Sequence, residues 1–432
     1  FHDGTPFDAA AAKLSLDRLR QAEFELASAP YAPEFSDVTG FDADGLTLVM
    51  RLRAPVARVA LRNLSMFCAS IVSPRVLDAT RGMAPDAATS HVTRNACGTG
   101  PYRVDEFDPA AKITRLVANE EHWDGPPAVK TLIFKPVADE STRTEYLTRG
   151  SGAFVVDDVP RQHWATVAGS DSMELISWWA LNVCYLGVNA DHDATRHPAV
   201  REAIQLAIDR DAIVPHYEGT ARPTFGIVAQ PMAEYDATLR IPGWDDDPAA
   251  RRARARALLT EAGLLDQPVT VYFPHQPRPY LPRPQDIADT VRQQLRAAGL
   301  DARIQGEDKN KLFPGVATGQ YELVLIGWMT DNGDPDNFYG PLTDGDDSGP
   351  AAGNTSRVVH PDVHARLAAA RELNDAAERV AAYRAIEALL QTEVRGYVPL
   401  VNTKQAVAVS RRIRGFVIDG FGQYRFNEAS LQ

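Results

Sequence analysis

Between Val269 and Trp328 the chain repeats one pattern, and that pattern restricts the fold more than anything else in the sequence. Short apolar runs at Val269–Phe273, Ala302–Gln305 and 322–328 alternate with helical stretches at Pro284–Ala298 and 309–318. The first helical stretch stops at Gly299, a residue that accepts the left-handed turn ending many helices. Strand, helix, strand, helix, strand predicts a parallel or mixed sheet with right-handed crossovers. Such sheets bind ligands outside the carboxyl ends of their strands. Two loops leave strand ends of that kind. One is Pro274-His275-Gln276-Pro277-Arg278-Pro279-Tyr280. The other follows Trp328 and holds three Asp, two Asn, a Gly and a Pro over residues 331–337.

At 432 residues the chain exceeds the size at which one core stops growing, so two or more lobes are expected. A net charge of −12 argues against nucleic acid and anionic lipid as partners, because both demand a basic face. Only seven of the 45 basic residues are Lys. Cys68, Cys97 and Cys184 form no CxxC pair; a disulfide between two of them stays open, against a reading as buried apolar thiols. The opening Phe1-His2-Asp3-Gly4-Thr5-Pro6-Phe7 reads as a strand end and turn, so the chain is expected to lack its front.

Elsewhere the pattern predicts a helix over 5–20, a strand Leu46–Leu52 after an Asp42–Gly45 turn, and a helix near 55–66. A hairpin of Tyr102–Phe107 and Ile113–Ala118 follows, then a strand Lys130–Val137, a helix Asp139–Arg149 and a strand Ala153–Val156. Leu186–Asn189 reads as a short strand, Val200–Asp209, 211–217 and 248–262 as helices, and 219–247 as a long irregular cover. Helices at 361–372 and 375–394 precede strands Tyr397–Val401, Ala406–Val409 and Val417–Ile418.

For chemistry, Asp331 at a rigid strand end suits a small cation such as an ammonium. On spacing alone it reads first as a turn cap, with Asp334 and Asp336 as turn residues. Arg278, set between two prolines, suits a forked grip on a carboxylate, and reads equally as an exposed arginine in a proline-rich loop. Trp328 and Tyr280 fit core packing as readily as a site. A calcium loop at Asp331, Asp334 and Asp336 lacks its distal glutamate, and His360 with His364 lacks an acidic third ligand. No nucleophile elbow, His-Glu-x-x-His or phosphate loop appears, so no enzyme, metal site or cofactor is expected.

Several stretches in order resemble the extracytoplasmic solute-binding proteins of peptide-type ABC transporters, the oligopeptide, dipeptide and nickel family. They are Phe1–Phe7, Gly98-Thr99-Gly100-Pro101-Tyr102 with Asn119–Trp123, Leu186–Asn189 with Val200–Arg210, and Ala255–Gly263. Gly327–Phe338 and Arg278-Pro279-Tyr280 look most like the dipeptide-binding branch. The resemblance implies an α/β, two-lobed clamshell of the type II, cluster C periplasmic-binding kind, with an extra subdomain and its first strands missing. By it, residues 1–97 would be the extra subdomain of lobe I and 98–187 lobe I itself. Lobe II would be 188–405, and 406–432 the return to lobe I, with Leu186, Gly187, Val188 and Asn189 at a hinge crossing. Asp331 would pair with a ligand ammonium and Arg278 with its carboxylate, with Trp328, Tyr280, Thr330, Met329 and Asn332 around them. A short peptide, foremost a dipeptide, would be handed to permease subunits in the membrane by a monomer held in the periplasm or outside the cell, with or without a lipid anchor. The same fold serves glutathione, haem, a nickel chelate or longer oligopeptides. A metal-assisted peptidase and a non-transport surface sensor are the rivals from other classes.

Overall fold

The computed structural model describes residues 1–19, 29–149, 152–241 and 247–432, which form two units. Unit 1 is Phe1–Ile176 with Ala406–Gln432, and unit 2 is Ser177–Gln405. The predicted N-terminal helix and the irregular cover run partly into 20–28 and 242–246, outside the described residues.

Unit 1 opens with a helix, Ala9–Asp17, because the Asp8 side chain accepts the Ala11 amide and satisfies one of its open donors. Lys13 and Asp17, one turn apart, form an ion pair on it. A hairpin of Val38–Asp44 and Thr47–Leu52 follows; its first strand escaped the sequence reading because Thr39, Gly40 and Asp42 break the apolar alternation. Strands Tyr102–Asp108, Ile113–Ala118 and Thr131–Phe134 make an antiparallel sheet, with the predicted hairpin at its centre. Asp139 caps the helix Glu140–Arg149 through the Thr142 amide.

Unit 2 is built on a mixed sheet. Its strands are β1 (Asn182–Val188), β2 (Ala221–Pro223), β3 (Pro268–Pro274), β4 (Asp301–Glu307), β5 (Leu323–Met329) and β6 (Tyr397–Ser410), which leaves the unit after Gln405. Its helices are α1 (Pro198–Ala207), α2 (Pro248–Glu261), α3 (Pro284–Ala297), α4 (Lys309–Ala317), α5 (Asp336–Thr343), α6 (Pro361–Glu372) and α7 (Ala376–Leu389). Side by side the strands run β4, β3, β5, β1, β6, and β2 joins the outer side of β6. β3 is parallel to β4 and β5, as alternating strands and helices require, while β1 is antiparallel to β5 and β6.

Both faces of this sheet are covered, which explains why β1 and β5 read as continuous apolar runs rather than alternating ones. Leu323 and Leu325 pack with Cys184, Leu186 and Val188 under α1, α2 and α3. Val324 and Ile326 turn the other way, with Val183 and Tyr185, under α4, α5, α6 and α7. Asn182–Val188 and residues 323–327 therefore have no face left over for solvent.

Three of the stretches that differ from the sequence reading begin in unit 2. Asp336–Thr343 is a helix, although its Asp-Pro-Asp-Asn lead reads as a turn; Phe338, Tyr339 and Leu342 earn that helix its place in the core. Tyr397–Ser410 is one strand where two were expected, because polar Asn402 and Thr403 bridge the gap by pairing with Arg222 and Ala221. The helix expected at 211–217 is a single 3-10 turn, Val214–Tyr217, ended by Glu218 at φ 53°.

Gly327 in β5 has no room for a side chain: a Cβ would run into the Val183 carbonyl and the Tyr280 ring. Gly327→Ala is expected to cost about 1–3 kcal/mol by overpacking, read as a lowered urea midpoint with an unchanged slope.

Candidate functional site

The loop leaving β5 is organised by its own side chains. The Thr330 hydroxyl accepts the Gly333 amide at 2.9 Å, the Asn332 side chain accepts the Asp334 amide at 2.9 Å, and Asp334 accepts the Asp336 amide at 2.9 Å. Asn337 reaches back to accept the Asp331 amide at 2.9 Å. Gly333, at φ 69°, supplies the left-handed turn that closes the loop. Thr330 and Asn332 are thus buried braces within the loop.

Beneath them lies an ionic layer. Asp334 meets Arg379 of α7 at 2.6 Å, both almost wholly buried. Asp336 meets Arg371 of α6 at 2.8 Å, and Arg371 also holds Asp344 at 3.0 Å. The Tyr383 hydroxyl donates to Asp336 at 3.3 Å. Burial is the largest influence on Arg379 and works against its charge, but Asp334, Tyr383 and Asp336 together outweigh it and raise the guanidinium pKa. For Asp336 burial dominates and pushes the carboxyl up, although Arg371 pulls the other way.

Asp331 differs from its neighbours. It is half-buried, and no cation lies within 4 Å of its carboxylate among the described residues. Burial alone pushes its carboxyl above the usual carboxylate range. A desolvated charge with no counter-charge, at the carboxyl end of a central strand, has the form of a ligand contact.

Arg278 stands after the neighbouring strand β3. Arg278 and Leu281 exchange backbone hydrogen bonds of 3.0 and 2.8 Å, which pinches Pro279-Tyr280 into a tight turn. Tyr280 is buried on Gly327, and its carbonyl accepts the Tyr217 hydroxyl at 3.0 Å. The Pro279 carbonyl accepts the Thr403 hydroxyl of β6 at 3.3 Å. The turn is therefore fixed from three sides. The half-buried Arg278 guanidinium lies 5.9 Å from the Tyr280 ring and 5.8 Å from the Phe313 ring. Among the described residues no carboxylate is within 4 Å of it, and its Nε is buried without a hydrogen-bond partner.

Trp328 is half-buried on the α4–α7 side, with its indole Nε1 buried and unpartnered. Met329 is 36% exposed, 3.6 Å from the Gln405 amide. Leu186, Gly187 and Val188 lie buried in β1, and Asn189 just past it bonds the Gly319 and Tyr321 carbonyls at 2.9 and 3.0 Å. The chain passes between the units at Ile176–Ser177 and Gln405–Ala406. Sequence reasoning missed the other residues at this edge: Trp178 and Trp179 before β1, Arg222 in β2 and Lys404 in β6. The signals were slight: two adjacent tryptophans, and one of seven lysines.

The fold is that of the type II periplasmic binding proteins. A family model for bacterial extracellular solute-binding proteins, family 5, matches residues 1–350, and the chain belongs to that family. It is 28% identical to the glutathione-binding protein GsiB of Salmonella paratyphi A over 440 residues, covering all of this chain and 81% of the relative. It is 25% identical to the dipeptide-binding protein of Escherichia coli K12 over 375 residues, covering 86% of this chain and 68% of the relative. The crystal structure of a dipeptide-binding protein from Pseudoalteromonas sp. SM9913 in complex with Met-Leu superposes with a TM-score of 0.84 at 21% identity, covering 99% of this chain and 84% of that one. No helix among the described residues is long and apolar enough to cross a membrane.

Arg379→Met strands the Asp334 carboxylate and is expected to cost about 3–5 kcal/mol in urea denaturation. Asp331→Asn is expected to act in the opposite direction. The folded state raises the Asp331 pKa, so the stability it contributes is complete below the ordinary carboxylate range and lost as pH rises through the raised value. The ligand-free Asn variant should therefore melt higher than wild type at pH 7 and no higher at pH 3, in matched thermal scans.

Proposed function

We propose that this protein is the solute-capturing component of an ABC importer and takes short peptides, dipeptides foremost, by their two termini. One observation carries the reading: a carboxylate, Asp331, and a guanidinium, Arg278, neither with an ion-pair partner among the described residues, stand past the carboxyl ends of the adjacent parallel strands β5 and β3. The α-ammonium of a peptide answers the first and the α-carboxylate answers the second. Two extended residues span about 7 Å, and neighbouring strands lie about 5 Å apart, so side chains rooted there suit a ligand of that length. Grips on the termini leave the peptide side chains unread, which favours a broad range of dipeptides. The relatives support the same chemistry, since dipeptides and glutathione both carry an ammonium and a carboxylate. Glutathione itself is the second reading, favoured by the relative that matches the full chain.

Delivery to membrane permease subunits, a monomeric state and a location outside the cytoplasmic membrane, lipid-anchored or free, belong to the same proposal. They rest on membership of the family.

Removing one partner of a desolvated charge pair costs on the order of 2–5 kcal/mol, or roughly 30- to several-thousand-fold in affinity. Calorimetry should show that loss for Ala-Ala when Asp331 becomes Ala, and for N-acetyl-Ala-Ala on the wild-type protein. Undiminished affinity in both titrations would sink the assignment.

A further inference from the structure

Arg222 and Lys404 share one indole. The Arg222 guanidinium carbon lies 4.1 Å from the centre of the Trp179 ring, and the Lys404 ammonium lies 5.0 Å from the same centre. Trp179 and both cations are half-buried, so none is a freely solvated surface group. Among the described residues no carboxylate lies within 4 Å of either charge. Arg222 makes a neutral hydrogen bond to the Asn402 side chain at 3.2 Å, while its Nε is buried with no partner. Burial lowers its pKa.

The backbone imposes this arrangement. Arg222 and Asn402 are register partners across β2 and β6, and Lys404 follows two residues along β6, its amide fixed to the Thr220 carbonyl at 2.7 Å. Trp179 enters from the segment before β1, anchored where the Ala180 amide donates to Thr403 at 3.0 Å. An indole face favours one cation. Two cations at one ring repel each other, and among the described residues no carboxylate within 4 Å offsets that repulsion. An incoming anion would relieve it.

The cluster borders the site already described. Thr403, beside Lys404, bonds the Pro279 carbonyl next to Arg278, and Gln405 touches Met329 on the way to Asp331. The Thr330 amide donates to Leu181, two residues from Trp179, at 3.1 Å.

We infer that Arg222, Lys404 and Trp179 form a second anion subsite, which takes a carboxylate carried on the side chain of the captured peptide. The ligands of choice are then short peptides with an extra acidic group, α- or γ-linked glutamyl peptides included. This rests on the peptide reading above: Asp331 and Arg278 hold the termini, and the cluster holds the additional charge.

The test compares Ala-Glu with Ala-Gln, near-isosteric peptides that differ in one charge, by calorimetry at low salt. Wild type should prefer Ala-Glu by about tenfold or more. In Arg222→Gln/Lys404→Gln that preference should collapse toward one, while the single variant Lys404→Arg, which keeps the charge, should retain much of it. A preference that survives in the double variant, or is absent from wild type, overturns the subsite while leaving the terminal grips standing. If neither peptide binds, the peptide reading falls. The subsite is then decided by succinate, which needs no ammonium grip. Succinate binding that disappears in the double variant upholds the subsite, and no succinate binding to wild type ends it.

Discussion

The buried pair of Asp334 and Arg379 is the interaction on which the geometry of the candidate site depends. A 2.6 Å ion pair with almost no exposure holds the middle of the β5–α5 loop down onto α7, and Arg371 of α6 does the same for Asp336. With those two acids neutralised from below, the loop has one carboxylate left over. Asp331 has its amide tied to Asn337, and among the described residues no cation lies within 4 Å of its carboxylate. A loop of three acids would otherwise repel itself. Countering two of them and not the third turns it into a single, placed negative charge.

Rigidity matters here more than charge count. Backbone amides of the loop are absorbed by Thr330, Asn332, Asp334 and Asn337, so the loop has few ways to relax around a ligand. The opposing cation is fixed by different means: a pinched proline turn whose Tyr280 fills the space that Gly327 leaves vacant. Both proposed grips would thus be preorganised, which limits the ordering cost of binding. Asp331 itself bears a cost, since burial raises its carboxyl pKa.

Much of this was legible in the sequence. The alternating strands and helices of 268–329 follow directly from apolar periodicity, glycine stops and proline starts, all local signals. Asp331 and Arg278 could be singled out because each follows such a strand, and the polar loops announce themselves by composition. Thr330 and Asn332 were named with them on resemblance, and the structure puts both inside the loop as braces.

What the sequence by itself determined was the set of elements and the two strand ends, because backbone propensity and side-chain period act over a few residues. The tertiary structure alone decided which acids of the loop are countered by arginine, since Arg371 and Arg379 lie 35 and 45 residues beyond the acids they neutralise. It likewise decided that Trp179, Arg222 and Lys404 meet at one ring, for strand order in a mixed sheet is set by packing both faces at once. No local pattern records that choice.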